Sequence, residues 1–404
     1  MNEQNLIFNI YQRYRNDLIS LPWDTSLIDW QEDGFKFISV RKSKSRHPVR
    51  FIKTKNYSFA IKQTSNLKAY FESVTYKKLL EKGIPTFVPA GHVIYTDKLF
   101  TEEHKLLAAN QDEELAFVVT MLEDNSIPHS ILFQYDFKEE NTKAIIKAIA
   151  ELIALLHHKN IYWGDAQLQN NLIKFNKLKD TNGRTKTELK AFLADAETVE
   201  ITSKISDEMR EKDISKFFES IDQYNLLLIE QGKEKDISFL KSYFGGKYEQ
   251  FRSLYKTIKA FEKTTGINVH DQFGEIKDKN TIDDILKQIE EHKWYLNENQ
   301  VKEITIQEAS IDWLRNIYAP IIKEFEALKI ADNFPNTNSA SLYAQIMAHK
   351  YYMSLEVKKD VGVKNAILDY AENFATSDKS FLKNLKLLVK RILVIYNNYP
   401  DTNS

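Results

Sequence analysis

The segment from 161 to 175 constrains the fold of this chain more than any other stretch. It reads IYWGDAQLQNNLIKF, with Asp165 behind a glycine and Asn170 further along, followed by an apolar run. The apolar run predicts a strand, and the Asn-Gly pair at 182–183 predicts a tight turn onto a partner strand. The segment therefore leads into a β-hairpin whose far end carries Asp195.

Composition limits the classes of protein that this chain can belong to. Its 404 residues favour two domains, and its net charge of −1 argues against a dedicated nucleic-acid binder or a polybasic membrane protein. The lack of cysteine excludes disulfides, thiolate zinc sites and a cysteine nucleophile. We expect a cytoplasmic protein without a transmembrane segment, because no run is long enough to span a bilayer and the N-terminus lacks the apolar core of a signal peptide.

The periodicity of apolar residues predicts an α+β organisation that becomes helical towards the C-terminus. One helix is expected between the third and fourth strands, ending at Gly83. The predicted strands of this lobe are 35–40, 49–54, 57–64, 87–96 and 115–122. The predicted domains are an N-terminal helical or extended segment at 1–34, a β-rich lobe and hinge at 35–123, a helical lobe at 124–235 and an all-α domain at 236–404.

Four residues follow the order in which phosphoryl-transfer chemistry needs them. Such a reaction needs a carboxylate that orients the acceptor and oxygen ligands that hold a metal on the nucleotide. Asp165, Asn170 and Asp195 match the catalytic aspartate and the two metal ligands of protein kinases in order and spacing. Lys62 lies on the third predicted strand, where kinases carry a phosphate-binding lysine. Glu72 on the next helix is the candidate for its ion-pair partner.

Each of these residues also has a purely structural interpretation. Asp165 and Asn170 could serve as cap and turn residues, and Lys62 could be a solvated strand lysine. For Glu72 the competing residues are Glu81 and Glu102.

Three further residues carry open alternatives. Asp213, at the start of an apolar helical pattern, could be a helix N-cap or a brace for the backbone of the catalytic loop. His157 and His158 are more consistent with cations at a helix C-terminus than with ligands.

The motifs resemble those of the protein-kinase-like superfamily, in its small-molecule and lipopolysaccharide-kinase branch. There the loop reads His-Gly-Asp and the later motif reads Asp-x-Glu. The stretches WGDAQLQNN and DAETVE follow this pattern, except that Trp163 takes the place of the histidine. Over nearly its full length the chain resembles a bacterial family of unknown function with a lipopolysaccharide-kinase-like first half. The matching stretches are LPWDTSL, SRHPVRF, YWGDAQLQNNL, DAETVE and HKYYMSLE.

This resemblance implies a bilobal protein-kinase-like fold followed by an all-α domain, with ATP and Mg²⁺ as cofactors. The adenine is expected against the hinge at 119–123, with Val119, Met121 and Glu123 as binding residues. The predicted function is phosphoryl transfer to a hydroxyl of a small-molecule or glycan/lipid-type acceptor. The alternative is a weak or inactive kinase-like protein that binds nucleotide or scaffolds a partner. A protein acceptor is disfavoured because no Ala-Pro-Glu segment follows Asp195.

Three departures from the kinase pattern bear on this prediction. The loop RKSKSRHP has no glycine, so the side chains of Ser43, Ser45, Lys44 or Arg46 would have to contact phosphate instead. Trp163 is expected to remove a structural ring from the catalytic loop. Glu197, in place of a glycine, changes the metal loop and could add a ligand.

The C-terminal half contains an internal duplication. QIEEHKWYLNEN and QIMAHKYYMSLE are the same motif, and the residues Ala309, Asp312 and Asn316 recur as Ala366, Asp369 and Asn373. We expect the units 282–318 and 339–375 to pack as a pair. The aromatic residues expected in their shared core are Trp294, Trp313, Tyr351 and Tyr370. The His-Lys-aromatic-Tyr stretch could alternatively bind an anion or stack a base. The C-terminal helical domain as a whole could also bind a protein partner.

Overall fold

The computed structural model describes residues 6–39, 47–95, 115–123, 126–128, 138–179, 185–233, 237–298, 303–334, 337–375 and 379–397. The chain splits into two compact units: 1–178 with 185–252, and 179–184 with 253–404. The predicted domain boundaries after residues 34, 123 and 235 stay predictions. The loop residues Ser43, Lys44, Ser45 and Arg46, the residue Glu102 and the Asn-Gly turn at 182–183 lie outside the described residues.

The first unit begins with a six-stranded antiparallel sheet. Its strands are β1 (Ile7–Ile10), β2 (Lys36–Phe37), β3 (Val49–Lys53), β4 (Ser58–Thr64), β5 (Pro89–Ile94) and β6 (Ala116–Met121). Their order in space is β1-β5-β6-β4-β3-β2, so that β4 has a partner on each side. Alternation along β4 buries Phe59 and Ile61 in the core of the sheet lobe.

The N-terminal segment forms part of this lobe. Strand β1 pairs with β5, and Leu18, Trp23 and Trp30 belong to the same core as β4. Gly91 permits the contact between the two strands, because a Cβ at this position would lie 2.1 Å from the backbone oxygen of Asn9. A short pattern of isoleucines and aromatics gives little sign of an edge strand, so the sequence predicted only a helical or extended segment here.

One helix packs against the sheet. Helix α1 (Arg15–Leu18) is a single turn, whereas α2 (Asn66–Glu81) is the long helix predicted between the third and fourth strands. Its buried residues include Lys68 and Glu72 among apolar neighbours. Two ionisable side chains on a buried helix face mark this helix as more than a packing element.

The rest of the first unit is mainly helical. Helices α3 (Glu139–His158) and α4 (Asp207–Glu230) flank a set of short strands. Strand β8 (Ile161–Tyr162) pairs with β11 (Glu200–Ile201), while β9 (Asn171–Lys179) lies between β7 (Ser126–Pro128) and β10 (Thr185–Leu193). A 3-10 turn at Leu168–Asn170 joins β8 to the predicted hairpin.

No β-strand occurs in the described residues after α4, where the regular structure is helical. These helices are α5 (Phe239–Thr265), α6 (Val269–Phe273), α7 (Lys279–Glu298), α8 (Ile306–Trp313), α9 (Ala319–Ala327), α10 (Ser339–Val357), α11 (Gly362–Phe374) and α12 (Lys379–Asn397). A π-helical turn at Leu314–Tyr318 connects α8 to α9. The predicted class, a β-rich lobe and a helical lobe followed by an all-α part, is confirmed. No helix within the described ranges is long and apolar enough to cross a membrane.

The duplication is visible as two helix pairs with the same hydrogen bond. In α7 and α8, His292 Nε2 lies 2.8 Å from Asp312 Oδ2. In α10 and α11, His349 Nε2 lies 2.6 Å from Asp369 Oδ2. An asparagine one turn after each aspartate donates to it in both pairs. Helices α7 and α10 contact each other. The two duplicated segments, 282–318 and 339–375, therefore pack as a pair.

The predicted aromatic core between the units is wrong at two of four positions. Trp313 is buried and Tyr370 is half-buried, but Trp294 and Tyr351 are 56% and 54% exposed. Trp294 follows the buried His292 by two positions, which turns it to the opposite side of a helix with about 3.6 residues per turn. These two aromatics therefore form part of the surface of the second unit.

Candidate active site

A buried ion pair links the sheet lobe to α2. Lys62 lies in β4, and its Nζ lies 2.9 Å from Glu72 Oε2. Glu72 is 2% exposed, and the Tyr76 hydroxyl lies 3.0 Å from its other oxygen and 2.9 Å from the carbonyl of Ala194. The structure brings the predicted pair together, and the rival Glu81 instead lies near Lys77 on the exposed end of the helix.

Lys62 and Glu72 each stabilise the charged form of the other against the effect of burial. Burial alone would lower the pKa of Lys62, but the carboxylates of Glu72, Asp195 and Glu197 raise this pKa above its usual value. Burial raises the pKa of Glu72 to about 7, against the lowering effect of the Lys62 ammonium. The close contact with a permanently protonated lysine favours the carboxylate form of Glu72 at neutral pH.

Two further carboxylates, those of Asp195 and Glu197, lie next to Glu72 in this pair. One oxygen each of Glu72, Asp195 and Glu197 lies within 4.8 Å of the others. Lys62 Nζ is 3.6 Å from Asp195 Oδ1, and the backbone N–H of Glu197 donates to the same oxygen at 3.0 Å. Carboxylate oxygens in such a group are suitable ligands for Mg²⁺.

Asp165 and Asn170 form one hydrogen-bonded unit at the start of the predicted hairpin. Asn170 Nδ2 donates to the carbonyl oxygen of Asp165 at 2.9 Å and to its Oδ2 at 3.0 Å. The carbonyl of Asn170 accepts from the N–H of Ala194 at 2.9 Å, which connects this turn to the residue before Asp195. The amide of Asn170 thus fixes Asp165, and its backbone adjoins the carboxylate cluster.

Asp213 braces the backbone of the loop that leads to Asp165. Its carboxylate is buried and accepts from the N–H of Trp163 at 2.9 Å and from that of Gly164 at 2.8 Å. Of the two alternatives for Asp213, the structure shows the brace, since α4 begins earlier with Ser206 as its N-cap. His157 completes the brace, with Nε2 at 3.1 Å from Asp213 Oδ2.

His157 and His158 lie in the last turn of α3, as predicted, but His157 is buried there and is not an exposed cation. This residue is 3% exposed, and its Nδ1 lies 2.7 Å from the hydroxyl of Tyr248. Burial lowers the pKa of His157, only partly offset by Asp213. The imidazole is therefore a buried hydrogen-bonding group between α3, α4 and α5.

Trp163 provides a structural ring in the loop, although the absence of the histidine found in the resembling family suggested that such a ring was lost. The indole is fully buried, and its Nε1 donates to the carbonyl oxygen of Asp195 at 3.0 Å. The expectation that this substitution removes a structural ring is therefore wrong. The tryptophan connects the catalytic loop directly to the residue predicted to bind metal.

Gly164 allows this loop to lie close to the segment after Asp195. It has a φ of +81°, and a Cβ there would lie 3.0 Å from the carbonyl oxygen of Thr198. Thr198 in turn donates from its hydroxyl to the carbonyl of Trp163 at 2.8 Å. Both the backbone conformation and the limited space favour glycine at this position.

The three predicted adenine-binding residues lie in different surroundings. Val119 is fully buried inside the sheet, where β6 pairs with β4 and β5. Met121 is partly buried at the end of β6, and Glu123 follows as an ion-pair partner of Lys174 at the start of the hairpin. The end of β6 thus reaches the start of β9, while the Val119 side chain belongs to the core.

Two basic residues of the site were not identified from the sequence. Lys68 is 7% exposed, and its Nζ lies 3.3 Å from Glu197 Oε1. His47 Nε2 lies 3.7 Å from Glu197 Oε2. The sequence feature that could have indicated Lys68 is its spacing from Glu72, because residues four positions apart lie one turn apart on the same face of α2.

These contacts define the first unit as a protein-kinase-like fold. A strand lysine is paired with a helix glutamate, and an Asp-x4-Asn turn precedes a hairpin that leads to a second aspartate. A buried aspartate of the next long helix braces the loop. All these parts lie within one compact unit.

Comparison with known proteins gives matches in both parts of the chain. Residues 307–375 match the model of a domain of unknown function, DUF4032. Serine/threonine-protein kinase 33 of Mus musculus is 28% identical over 126 residues, 31% of this chain and 23% of that protein. The Bos taurus protein is 28% identical over 124 residues, with coverages of 30% and 23%. The chain thus spans about a quarter of the length of these relatives.

Several solved structures are also similar to this chain. WaaP in complex with acyl carrier protein is 15% identical with a TM-score of 0.39, covering 64% of this chain and 93% of that one. An aminoglycoside-3'-phosphotransferase of type VIII is 14% identical with a TM-score of 0.33, covering 60% and 100%. The Rio2 kinase from Chaetomium thermophilum is 13% identical with a TM-score of 0.33, covering 53% and 62%. Because these scores are low, the assignment of the fold rests on the elements and contacts described above.

Proposed function

We propose that this chain is an ATP-dependent phosphotransferase that acts on a hydroxyl of a polar small-molecule or glycan acceptor. The observation that carries this proposal is that the Lys62–Glu72 pair, Asp195 and the loop containing Asp165 are connected by direct contacts. Lys62 is held by Glu72 and lies 3.6 Å from Asp195, and the indole of Trp163 connects Asp195 to the loop that presents Asp165. A protein with only a packing role has no physical need for a carboxylate cluster beside such a loop.

The reaction follows from the positions of the side chains. In the proposed role, Lys62 contacts the nucleotide phosphates while Glu72 fixes its position. Asp165 accepts a hydrogen bond from the acceptor hydroxyl and takes its proton as the oxygen forms a bond to the γ-phosphorus. The bond between that phosphorus and the oxygen of the leaving ADP breaks. Asn170 limits the orientations of Asp165, since it donates to the same carboxylate.

The donor set at the cluster fits a divalent metal ion. Asp195 and Glu197 would hold Mg²⁺ with Asn170 nearby, and carboxylate and amide oxygens are the ligands that this ion prefers. Bound Mg²⁺ would neutralise negative charge on the phosphates. Glu72 is the third carboxylate of the group, but its contact with Lys62 gives it a separate role.

A polar cavity next to the catalytic loop supports a polar acceptor. This open cavity of about 510 Å³ is lined by Tyr162 and Gly164 and by charged residues of both signs from α4. Lys212 and Lys216 pair there with Glu208 and Glu219. A lining of this kind suits hydroxyl-rich or charged molecules better than an acyl chain.

A nucleotide-binding protein without turnover is the second candidate. Glu197 favours it, because its carboxylate lies 3.2 Å from Lys62 Nζ, where a phosphate would bind. No glycine occurs between residues 35 and 82, so the backbone of the loop before β3 lacks the usual means of approaching phosphate.

Titration calorimetry with ATP and Mg²⁺, followed by a screen of acceptors for ADP release, separates these candidates. Phosphotransfer predicts binding together with acceptor-dependent ADP formation. Binding without turnover against polar hydroxyl acceptors would favour the second candidate. No binding at millimolar ATP would contradict both.

A further inference from the structure

The carboxylate of Glu197 is surrounded by basic side chains from three separate elements of the sheet lobe. Lys62 of β4 lies 3.2 Å from its Oε2, and Lys68 of α2 lies 3.3 Å from its Oε1. His47, just before β3, lies 3.7 Å from Oε2. His47, Lys62 and Lys68 are called the anion cradle below.

Lys68 is the least expected member of the anion cradle. A lysine at 7% exposure is rarely found without a strong compensating partner. Glu197 is distant from Lys68 in the sequence, since it follows the β9–β10 hairpin, and its side chain is only partly buried. The buried ammonium of Lys68 is thus compensated by a carboxylate that belongs to the proposed metal site.

The two lysines approach opposite oxygens of one carboxylate. A phosphate group offers the same arrangement of acceptors, with more charge and more oxygens. The loop between β2 and β3 contains no glycine, so side-chain donors are needed to replace the backbone N–H groups of a glycine-rich loop.

We propose that the anion cradle binds the terminal phosphates of the nucleotide, and that the Glu197 carboxylate occupies it until the nucleotide and its metal ion bind. This inference rests on the proposed function, because it deepens the description of the same site. Lys68 and His47 then act as phosphate-positioning residues, and Glu197 acts as an internal competitor that moves towards the metal ion.

The local charge balance gives this proposal a distinctive consequence. Lys62 and Lys68 face the carboxylates of Glu72, Asp195 and Glu197, so these two lysines and three carboxylates together carry one negative charge in excess. A polyphosphate should therefore bind poorly without a divalent cation. Removal of the charge of Glu197 should allow metal-free binding.

The test is calorimetric titration of the full chain with inorganic tripolyphosphate, ADP and adenosine, with and without Mg²⁺. We expect Glu197→Gln to bind metal-free tripolyphosphate at least about tenfold more tightly than wild type, since a charged competitor is lost. Lys68→Met should weaken ADP binding in Mg²⁺ by about 10- to 100-fold, with adenosine binding unchanged. Lys68→Arg should retain most of the affinity.

The matched control is Lys77→Met, on the exposed side of the same helix, which should leave all affinities unchanged. If Lys68→Met does not fold, Glu197→Gln carries the test. Unaltered phosphate affinity in folded Lys68→Met, or no gain in Glu197→Gln, overturns the anion cradle even where ATP turnover is normal. Cradle-dependent tripolyphosphate binding without any turnover supports the cradle and contradicts only the proposed function.

Discussion

At the scale of single residues, Trp163 connects two parts of the site that are distant in sequence. Its Nε1 donates to the Asp195 carbonyl, and its backbone N–H is held by Asp213. Trp163→Phe would leave that carbonyl without its donor in a buried site. We expect a loss of about 1–3 kcal/mol in the free energy of unfolding. Metal-dependent nucleotide affinity should also weaken.

Urea denaturation of the Trp163→Phe variant measures the first effect and calorimetry the second. Trp294→Phe is the matched control, because that indole is 56% exposed in the second unit. Equal stability of both variants and wild type would show that the Trp163 hydrogen bond contributes nothing.

His92 gives the sheet lobe a pH-dependent stability. Burial lowers the pKa of His92 from 6.5 to about 4, and none of the residues that the structure describes forms a hydrogen bond with its buried Nδ1. The unfolded chain therefore binds a proton between these pH values that the folded chain does not bind. The free energy of unfolding should decrease as the pH falls through this window, by about 3 kcal/mol in total.

His92→Gln removes this titration while retaining an acceptor for Asn9, which lies 3.0 Å from the imidazole Nε2. The free energy of unfolding of wild type and variant is measured by urea denaturation at pH 7 and pH 5, so that the carboxylates common to both cancel. The difference between the two proteins should change with pH. Parallel pH profiles would contradict the assignment.

At the scale of elements, a His–Asp hydrogen bond joins the two helices within each helix pair of the second unit. His292 is 5% exposed, whereas the side chain of His349 is 23% exposed. His292→Ala should therefore destabilise α7 and α8 by about 1–3 kcal/mol, and His349→Ala should affect α10 and α11 less. Hydrogen exchange followed by mass spectrometry locates each effect.

The control for both histidine variants is His270→Ala, whose side chain is 88% exposed. If exchange in α7 and α8 stays at the wild-type rate in His292→Ala, the contact has no stabilising role.

Helices and strands could be predicted from the sequence where a local pattern of apolar residues defines them. The candidate active site could be predicted where residues of the required chemistry follow one another in a fixed order. Strand β4 and helix α2 could be located because alternation and helical spacing are local signals. Strand β1 could not, since its partner β5 lies far along the chain. The buried positions of Lys68, His157 and Trp163 depend on tertiary contacts with Glu197, Asp213 and Asp195. No spacing in the sequence encodes those contacts.

At the scale of the whole molecule, the chain combines a kinase-like first unit with a helical second unit that matches a domain of unknown function at 307–375. The exposed Trp294 and Tyr351, at equivalent positions of the duplication, are consistent with the predicted protein partner of the C-terminal part. That role stays a prediction. The central claim concerns the first unit, where nucleotide and acceptor would meet at Asp165 and Asp195.

The most direct measurement of that claim compares Asp165→Asn and Asp195→Asn for ATP affinity and ATP turnover side by side. Asp165→Asn removes the group that takes the proton, so turnover should fall by about 10²–10⁴-fold with nucleotide binding nearly intact. Asp195→Asn removes an anionic metal ligand, so Mg²⁺-dependent affinity and turnover should fall together. Full turnover in Asp165→Asn, or wild-type behaviour of both variants, would contradict the account.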